Sequence, residues 1–364
     1  MSFTLYGVLA ALALAAMLCI TGLAGRKKGL TYGALVRFAV LAVPLALICS
    51  RLVYVLASLS YYTETIGHPE LMLSLRDGGY SMLGALLGVL LAAFIAAKWC
   101  KLPASTLLDA TAIGMPVALF IARLAEPLSS MGLTEIGWGY DYSSPIFSFL
   151  DELCDGLHPV FAYEAAAAAL MLILLLFIRR SAREGDVFLS FALLFGCSQT
   201  VLESMLSTKH MMFLFMHITQ VAVLIMALIP LIIWSIRYPR PNRSAKLRLG
   251  AAWALAITNL ASALVQEINV TGADRTAAVA PFVPVLLAAG TVFWCVAWRK
   301  DGLVRLIPVV LTSIVTIAAM ILDLNGLAGD HYLLVLWGIM ACDMFMLAWT
   351  GLTLRKAADN NINQ

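Results

Sequence analysis

Apolar residues run through this chain in long blocks, each close to the twenty or so residues that a helix needs to cross hydrocarbon. Such blocks lie near 4–24, 34–58, 80–98, 105–125, 160–178, 187–206, 212–236, 249–267, 279–298, 303–323 and 332–353. The pattern predicts an all-α, polytopic integral membrane protein with about eleven transmembrane helices. Charge alternates in the polar connectors. "GRKKG", Lys98 with Lys101, "RRSAR", "RYPRPNRSAKLR", "WRKDGLVR" and the final "RKAADNN" are basic, and they occupy every second connector. Those between them, such as "DLNGLAGDH", are acidic or nearly neutral. Lys and Arg are retained on the cytoplasmic side, so the N-terminus is predicted outside and the C-terminus in the cytoplasm. The first apolar block has no basic residues ahead of it and reads as a first span rather than a cleaved leader.

Composition narrows the function classes. The 364 residues are 62% hydrophobic and 12% charged, with a mean hydropathy of +0.92. That is about half the charge of a typical soluble domain. A net charge of +3, scattered along the chain, gives no footprint for nucleic acid. The seven Cys residues are mostly inside apolar blocks and form no CxxC pair. They read as small hydrophobes, and no disulfide framework, metal site or cofactor is expected. The segment 237–248 is basic and carries Pro239 and Pro241. It divides a seven-helix part, 1–236, from a four-helix membrane extension, 249–354, and no repeat relates the two.

Ionisable side chains at membrane depth cost a few kcal/mol each and face protein or water. The candidates are Arg51, Asp109, Arg123, Glu126, Glu164, Glu203, Asp323 and Asp343. The predicted topology gathers most of them at one level, in the outer half of the bilayer. Arg123 and Glu126 end the fourth helix; His158, Tyr163 and Glu164 begin the fifth in "HPVFAYE". Arg51 lies in the outer part of the second helix. Glu203 lies near the outer end of the sixth, one turn after Gln199. Two readings stay open. These groups line a ligand site, or they form interhelical pairs, such as Arg123 with Glu164, that only lock the bundle. Arg prefers flat oxyanions, and at this depth the available phosphate belongs to a phospholipid. Asp109, near the cytoplasmic end of the fourth helix, reads as a structural partner. Trp138, Tyr140 and Tyr142 in the long outer connector read as interfacial anchors.

The first seven helices resemble the prolipoprotein diacylglyceryl transferase family. The resemblance rests on an ordered set of segments: "LYGVLA" at 5–10, "SRLVYVL" at 50–56, "RDGGYSMLGALLGVL" at 76–90, "LLDATAIGMPVALFIARLAE" at 107–126 and "HPVFAYE" at 158–164. It implies an enzyme of the bacterial inner membrane that moves diacylglycerol from phosphatidylglycerol to the cysteine of a lipoprotein precursor. It further implies that Glu126, His158, Glu164 and Glu203 take catalytic positions, and that Tyr6, Arg51, Arg123, Tyr163 and Gln199 take substrate-binding ones.

The departures from the family pattern matter equally. Leu83 stands where the family has a His implicated in catalysis. Glu126 replaces an Asn, Ala122 and Ala125 replace the Gly residues beside the signature Arg, and Gln199 replaces a second essential Arg. The four C-terminal helices have no counterpart. The expected function is therefore a phospholipid-dependent membrane transferase with diverged activity. A non-catalytic lipid- or lipoprotein-binding relative is the alternative, and an unrelated transporter a more distant one.

Overall fold

A computed structural model describes residues 5–66, 69–73, 79–128, 159–180, 182–206, 212–213, 216–237, 250, 253 and 344–352. Seven helices in these residues are long and apolar enough to cross a membrane. They are α1 (Leu5–Lys27), α2 (Tyr32–Ala57), α3 (Met82–Trp99), α4 (Ala104–Leu124), α5 (Val160–Ile178), α6 (Asp186–Met205) and α7 (Ile218–Arg237). They match the first seven predicted spans and make the chain a multi-pass membrane protein. The predicted spans 249–267, 279–298 and 303–323 lie outside the described residues, apart from single positions, and so does most of 332–353. Residues 344–352 of that last span are helical.

The seventh span needs a correction. The apolar run was expected to be helical from Met212, but helix α7 starts at Ile218. Strands β1 (Met212–Phe213) and β2 (Met216–His217) precede it as a short antiparallel pair, with Met212 opposite His217 and Phe213 opposite Met216. Apolarity reports burial and cannot tell a short extended run from a helical one. The two strands hydrogen-bond to each other across the ladder, where the helices bond along their own axes. Otherwise the described residues are helical or in helical turns and short connections.

The chain forms two compact units. One contains Met1–Phe195 and Met205–Met211, the other Gly196–Ser204 and Met212–Gln364. In the first, α4 is the hub, packing against α1, α3 and α5, while α2 packs on α3. Its central position explains why Thr106, Asp109, Thr111 and Arg123 are all buried although they are polar. Small residues permit the close helix contacts. A Cβ at Gly84 would lie 2.4 Å from the Cys49 carbonyl oxygen, and one at Gly88 would lie 2.3 Å from that of Leu45. This glycine pair at i and i+4 brings α3 onto the backbone of α2, which is how helices associate where lipid offers no hydrophobic drive. On α4, Gly114 does the same against Met17 of α1. Meanwhile Val36, Val40, Leu47 and Leu52 on α2 are exposed, as a lipid-facing surface requires.

In the second unit, the C-terminal half of α6 packs on α7. A Cβ at Gly196 would lie 2.6 Å from the Val223 carbonyl oxygen and 2.6 Å from the Ala227 nitrogen. Gln220 donates from Nε2 to the Thr200 carbonyl at 3.0 Å.

Candidate functional site

The C-terminal end of α4 carries two buried charged residues close together in sequence. The α-helix stops at Leu124, the Ala125 N–H still reaches the Ile121 carbonyl at 3.1 Å, and a 3-10 turn follows over Glu126–Leu128. Arg123 is therefore the last basic residue of the helix, and Glu126 opens the turn beyond it. Both are buried, at 8% and 5% exposure. The turn also touches α1, whose first turn holds the half-buried Tyr6.

Helix α5 brings the partner. It starts after Pro159, whose carbonyl accepts from the backbone N–H groups of Ala162 (3.0 Å) and Tyr163 (3.3 Å). Proline suits this position because its fixed φ agrees with the entry to a helix and no N–H is lost from the ladder. Glu164 then falls on the buried side of the first turns and Tyr163 on a half-buried one. Arg123 and Glu164 meet side-on. The Arg123 Nε lies 2.6 Å from Glu164 Oε2, and Nη2 donates to Oε1 at 3.2 Å. The shorter approach is an ion contact whose N–H is not aligned on the oxygen. Pairing lets both charges exist at this depth, since an isolated buried ion of either sign would be far costlier. The interhelical pair named from the sequence thus forms, and it holds the plane of the guanidinium.

Arg51 is used differently. It too is buried, and its guanidinium donates to three backbone carbonyls of the connector between α2 and α3. These bonds are Nε to Met72 (3.2 Å), Nη1 to Gly79 (3.0 Å) and Nη2 to Leu71 (2.8 Å). Sequence reasoning missed this, because carbonyl acceptors leave no trace in residue types. Leu83, in the first turn of α3, is buried at 7% exposure and adds only apolar surface.

Asp109 lies at the other end of α4 and is fully buried. It receives Lys28 Nζ at 2.7 Å and the backbone N–H groups of Gly185 and Phe188, each at 2.9 Å. Its carboxylate therefore joins the first connector to the N-terminus of α6, where a negative charge is favoured. This is the structural role expected of it. Gln199 and Glu203 belong to the second unit. Gln199 is buried, and Glu203 Oε2 accepts from Thr219 Oγ1 at 2.9 Å. His158, Trp138, Tyr140, Tyr142, Asp323 and Asp343 lie outside the described residues. Among the described residues no three His, Cys, Asp or Glu side chains gather as a metal site would need.

The site in the first unit thus has a buried arginine oriented by one carboxylate, with a second buried carboxylate one turn beyond it. Such an arrangement can orient a planar oxyanion and hold a proton close by. The family model for prolipoprotein diacylglyceryl transferases matches residues 1–236. Similar curated proteins are named phosphatidylglycerol–prolipoprotein diacylglyceryl transferase. That of Clostridioides difficile is 27% identical over 206 residues, which cover 55% of this chain and 77% of the relative. That of Symbiobacterium thermophilum is 27% identical over 256 residues, covering 66% and 91%. That of Ligilactobacillus salivarius is 26% identical over 208 residues, covering 55% and 76%.

Proposed function

Because this chain belongs to the prolipoprotein diacylglyceryl transferase family through residues 1–236, we propose that it is a membrane transferase acting on phospholipid. The donor is phosphatidylglycerol or a related phospholipid, the acceptor is the thiol of a lipoprotein precursor, and the activity is diverged. The observation that carries this reading is the buried Arg123–Glu164 pair at the end of α4. Arg123 stands at the family's signature arginine and Glu164 closes the segment "HPVFAYE".

In this mechanism the attacking thiolate comes from the acceptor. Arg123 meets the phosphate that departs from the glycerol carbon, and Glu164 keeps the guanidinium plane set before the substrate arrives. Pre-orientation of that kind is worth several kcal/mol when charge develops in a dry site. Glu126 handles the proton of the incoming thiol. Tyr6 and Tyr163 donate to lipid oxygens, and His158, Gln199 and Glu203 are the remaining positions to which the family resemblance gives a functional role. Residues 237–248 form a cytoplasmic linker to a four-helix extension over 249–354. The protein resides in the bacterial inner membrane with its N-terminus outside.

A second reading is favoured by two specific positions. Leu83 and Gln199 cannot carry charge, so neither replaces an imidazole or a guanidinium. A relative that binds phospholipid without transferring it would have such a site. Purified protein in nanodiscs, with labelled phosphatidylglycerol and a lipobox peptide, separates the two. Slow transfer of label to the peptide is expected. Binding without transfer supports the second reading, and neither binding nor transfer overturns both.

A further inference from the structure

We infer that Arg51 is a positioning residue, whose guanidinium fork shapes the outer connector between α2 and α3 rather than meeting phospholipid phosphate. The inference deepens the proposed function, because this connector leads directly into the first turn of α3, where Leu83 takes the place of the family's His.

The geometry is that of a clamp. Nε and Nη2 hold Met72 and Leu71, in the 3-10 turn Pro69–Leu73 near the middle of the connector, while Nη1 holds Gly79, just before α3. One side chain thus ties together two stretches of backbone separated in sequence. Charge-assisted bonds from a rigid planar fork fix direction as well as distance. The backbone at Gly79 is built to receive it. Its φ is +74°, a conformation that costs glycine little. A Cβ there would lie 2.3 Å from the Tyr54 ring and 2.8 Å from Arg51 Nη1. Two aromatic rings flank the guanidinium, with centroids 5.9 Å (Tyr54) and 5.8 Å (Tyr62) from Cζ. Ser50, the preceding residue, donates from Oγ to the Ser81 carbonyl at 2.8 Å, and its own carbonyl accepts from Ser81 N at 3.1 Å. The side chain of Ser81 then caps α3 through Gly84 N. A chain of contacts therefore runs from α2 through the connector to the start of α3.

A phosphate ligand and a backbone clamp demand different things of residue 51. A phosphate needs positive charge, which lysine keeps. The clamp needs three donors in a fixed plane, which lysine lacks. The test uses the full chain in nanodiscs containing phosphatidylglycerol, with Arg51→Lys, Arg51→Gln and Gly79→Ala variants. Hydrogen exchange reads the Ser81 amide, and native mass spectrometry reads retained lipid. The amides of Gly185 and Phe188, bonded to Asp109, report that the fold is intact. Exchange at Ser81 should quicken roughly tenfold or more in all three variants, the size that follows loss of charge-assisted bonds. Lysine should be no better than glutamine, and Gly79→Ala should add little on top of Arg51→Lys. Wild-type-like exchange in Arg51→Lys overturns the inference. So does lipid retention that lysine preserves and glutamine loses. If the unaltered chain retains no phosphatidylglycerol, the functional reading fails while the exchange result still decides the clamp.

Discussion

Arg123 of α4 and Glu164 of α5 form a side-on ion pair, 2.6 Å from Nε to Oε2 and 3.2 Å from Nη2 to Oε1, with both residues buried. A pair at this depth is a conditional asset. Its net contribution is small, because two desolvated ions are exchanged for one attraction, but removing one partner strands the other. Arg123→Ala should therefore destabilise the protein by about 3–5 kcal/mol. Arg123→Gln with Glu164→Gln together should recover most of that stability while function stays lost. Thermal unfolding of the single and double variants in one detergent gives the coupling between them. Additive losses would mean that the two side chains act independently.

Asp109 provides a contrast, since its partners are a lysine and two backbone N–H groups. Asp109→Asn keeps the shape but brings an NH₂ group towards donors and removes the charge that Lys28 meets. A loss of roughly 3 kcal/mol is expected from unfolding measurements. Activity or lipid binding per folded molecule should be unchanged, because the site at Arg123 lies at the opposite end of α4. A selective loss of function in fully folded protein would contradict a purely structural role.

The contact between α2 and α3 has almost no tolerance. Gly88→Ala places a methyl group where the Leu45 carbonyl oxygen already stands. Overpacking of this kind typically costs about 1–3 kcal/mol. Gly33, with nothing within 4 Å of a built Cβ, is the internal control, and Gly33→Ala should be neutral or mildly stabilising in the same melting assay.

Orientation can be read without any functional assay. Every second connector is basic, so residues 237–248 should face the cytoplasm. A cysteine placed at Ser244 in a background lacking the seven natural ones should resist an impermeant thiol reagent added to intact cells. Ready labelling from outside would invert the topology.

Spans were legible in the sequence because hydrocarbon imposes a length and a composition on each one, and seven of them recur in the structure. The Arg123–Glu164 pair was legible for a related reason: two opposite charges at one predicted depth have few other ways to be satisfied. Asp109 could be recognised as a structural partner, but not as a carboxylate facing backbone N–H groups, because main-chain donors are present at every residue. Arg51 was harder for the same reason. Its acceptors are carbonyls of Leu71, Met72 and Gly79, and only Gly79 could have hinted at a special backbone. The start of α7 was misjudged because Met212–His217 is apolar in both extended and helical form. Gln199 and Glu203 could be placed one turn apart from helical spacing, and Thr219 as the donor to Glu203 could not.

Glu126 decides between catalysis and binding. It is buried at the head of the turn after α4, three residues beyond Arg123, where the family pattern has a neutral Asn. A carboxylate here has two possible uses. As a general base it takes the thiol proton, and Glu126→Gln should then lower transfer by about 10²–10⁴-fold. Retention of phosphatidylglycerol should hold or tighten, because one negative charge has left the neighbourhood of the phosphate. As a neutraliser of Arg123 it has no part in chemistry, and the same change should strengthen anionic-lipid binding with no loss of turnover. Glutamine preserves volume and one acceptor oxygen, so folding is little disturbed and the two outcomes can be compared at equal protein. Transfer to a lipobox peptide and lipid retention should be measured on the same preparation. Wild-type values for both would remove Glu126 from the site. Complementation of a diacylglyceryl transferase deletion at normal rates by the unaltered chain would show that Leu83 and Gln199 cost nothing, and the site would then not be diverged.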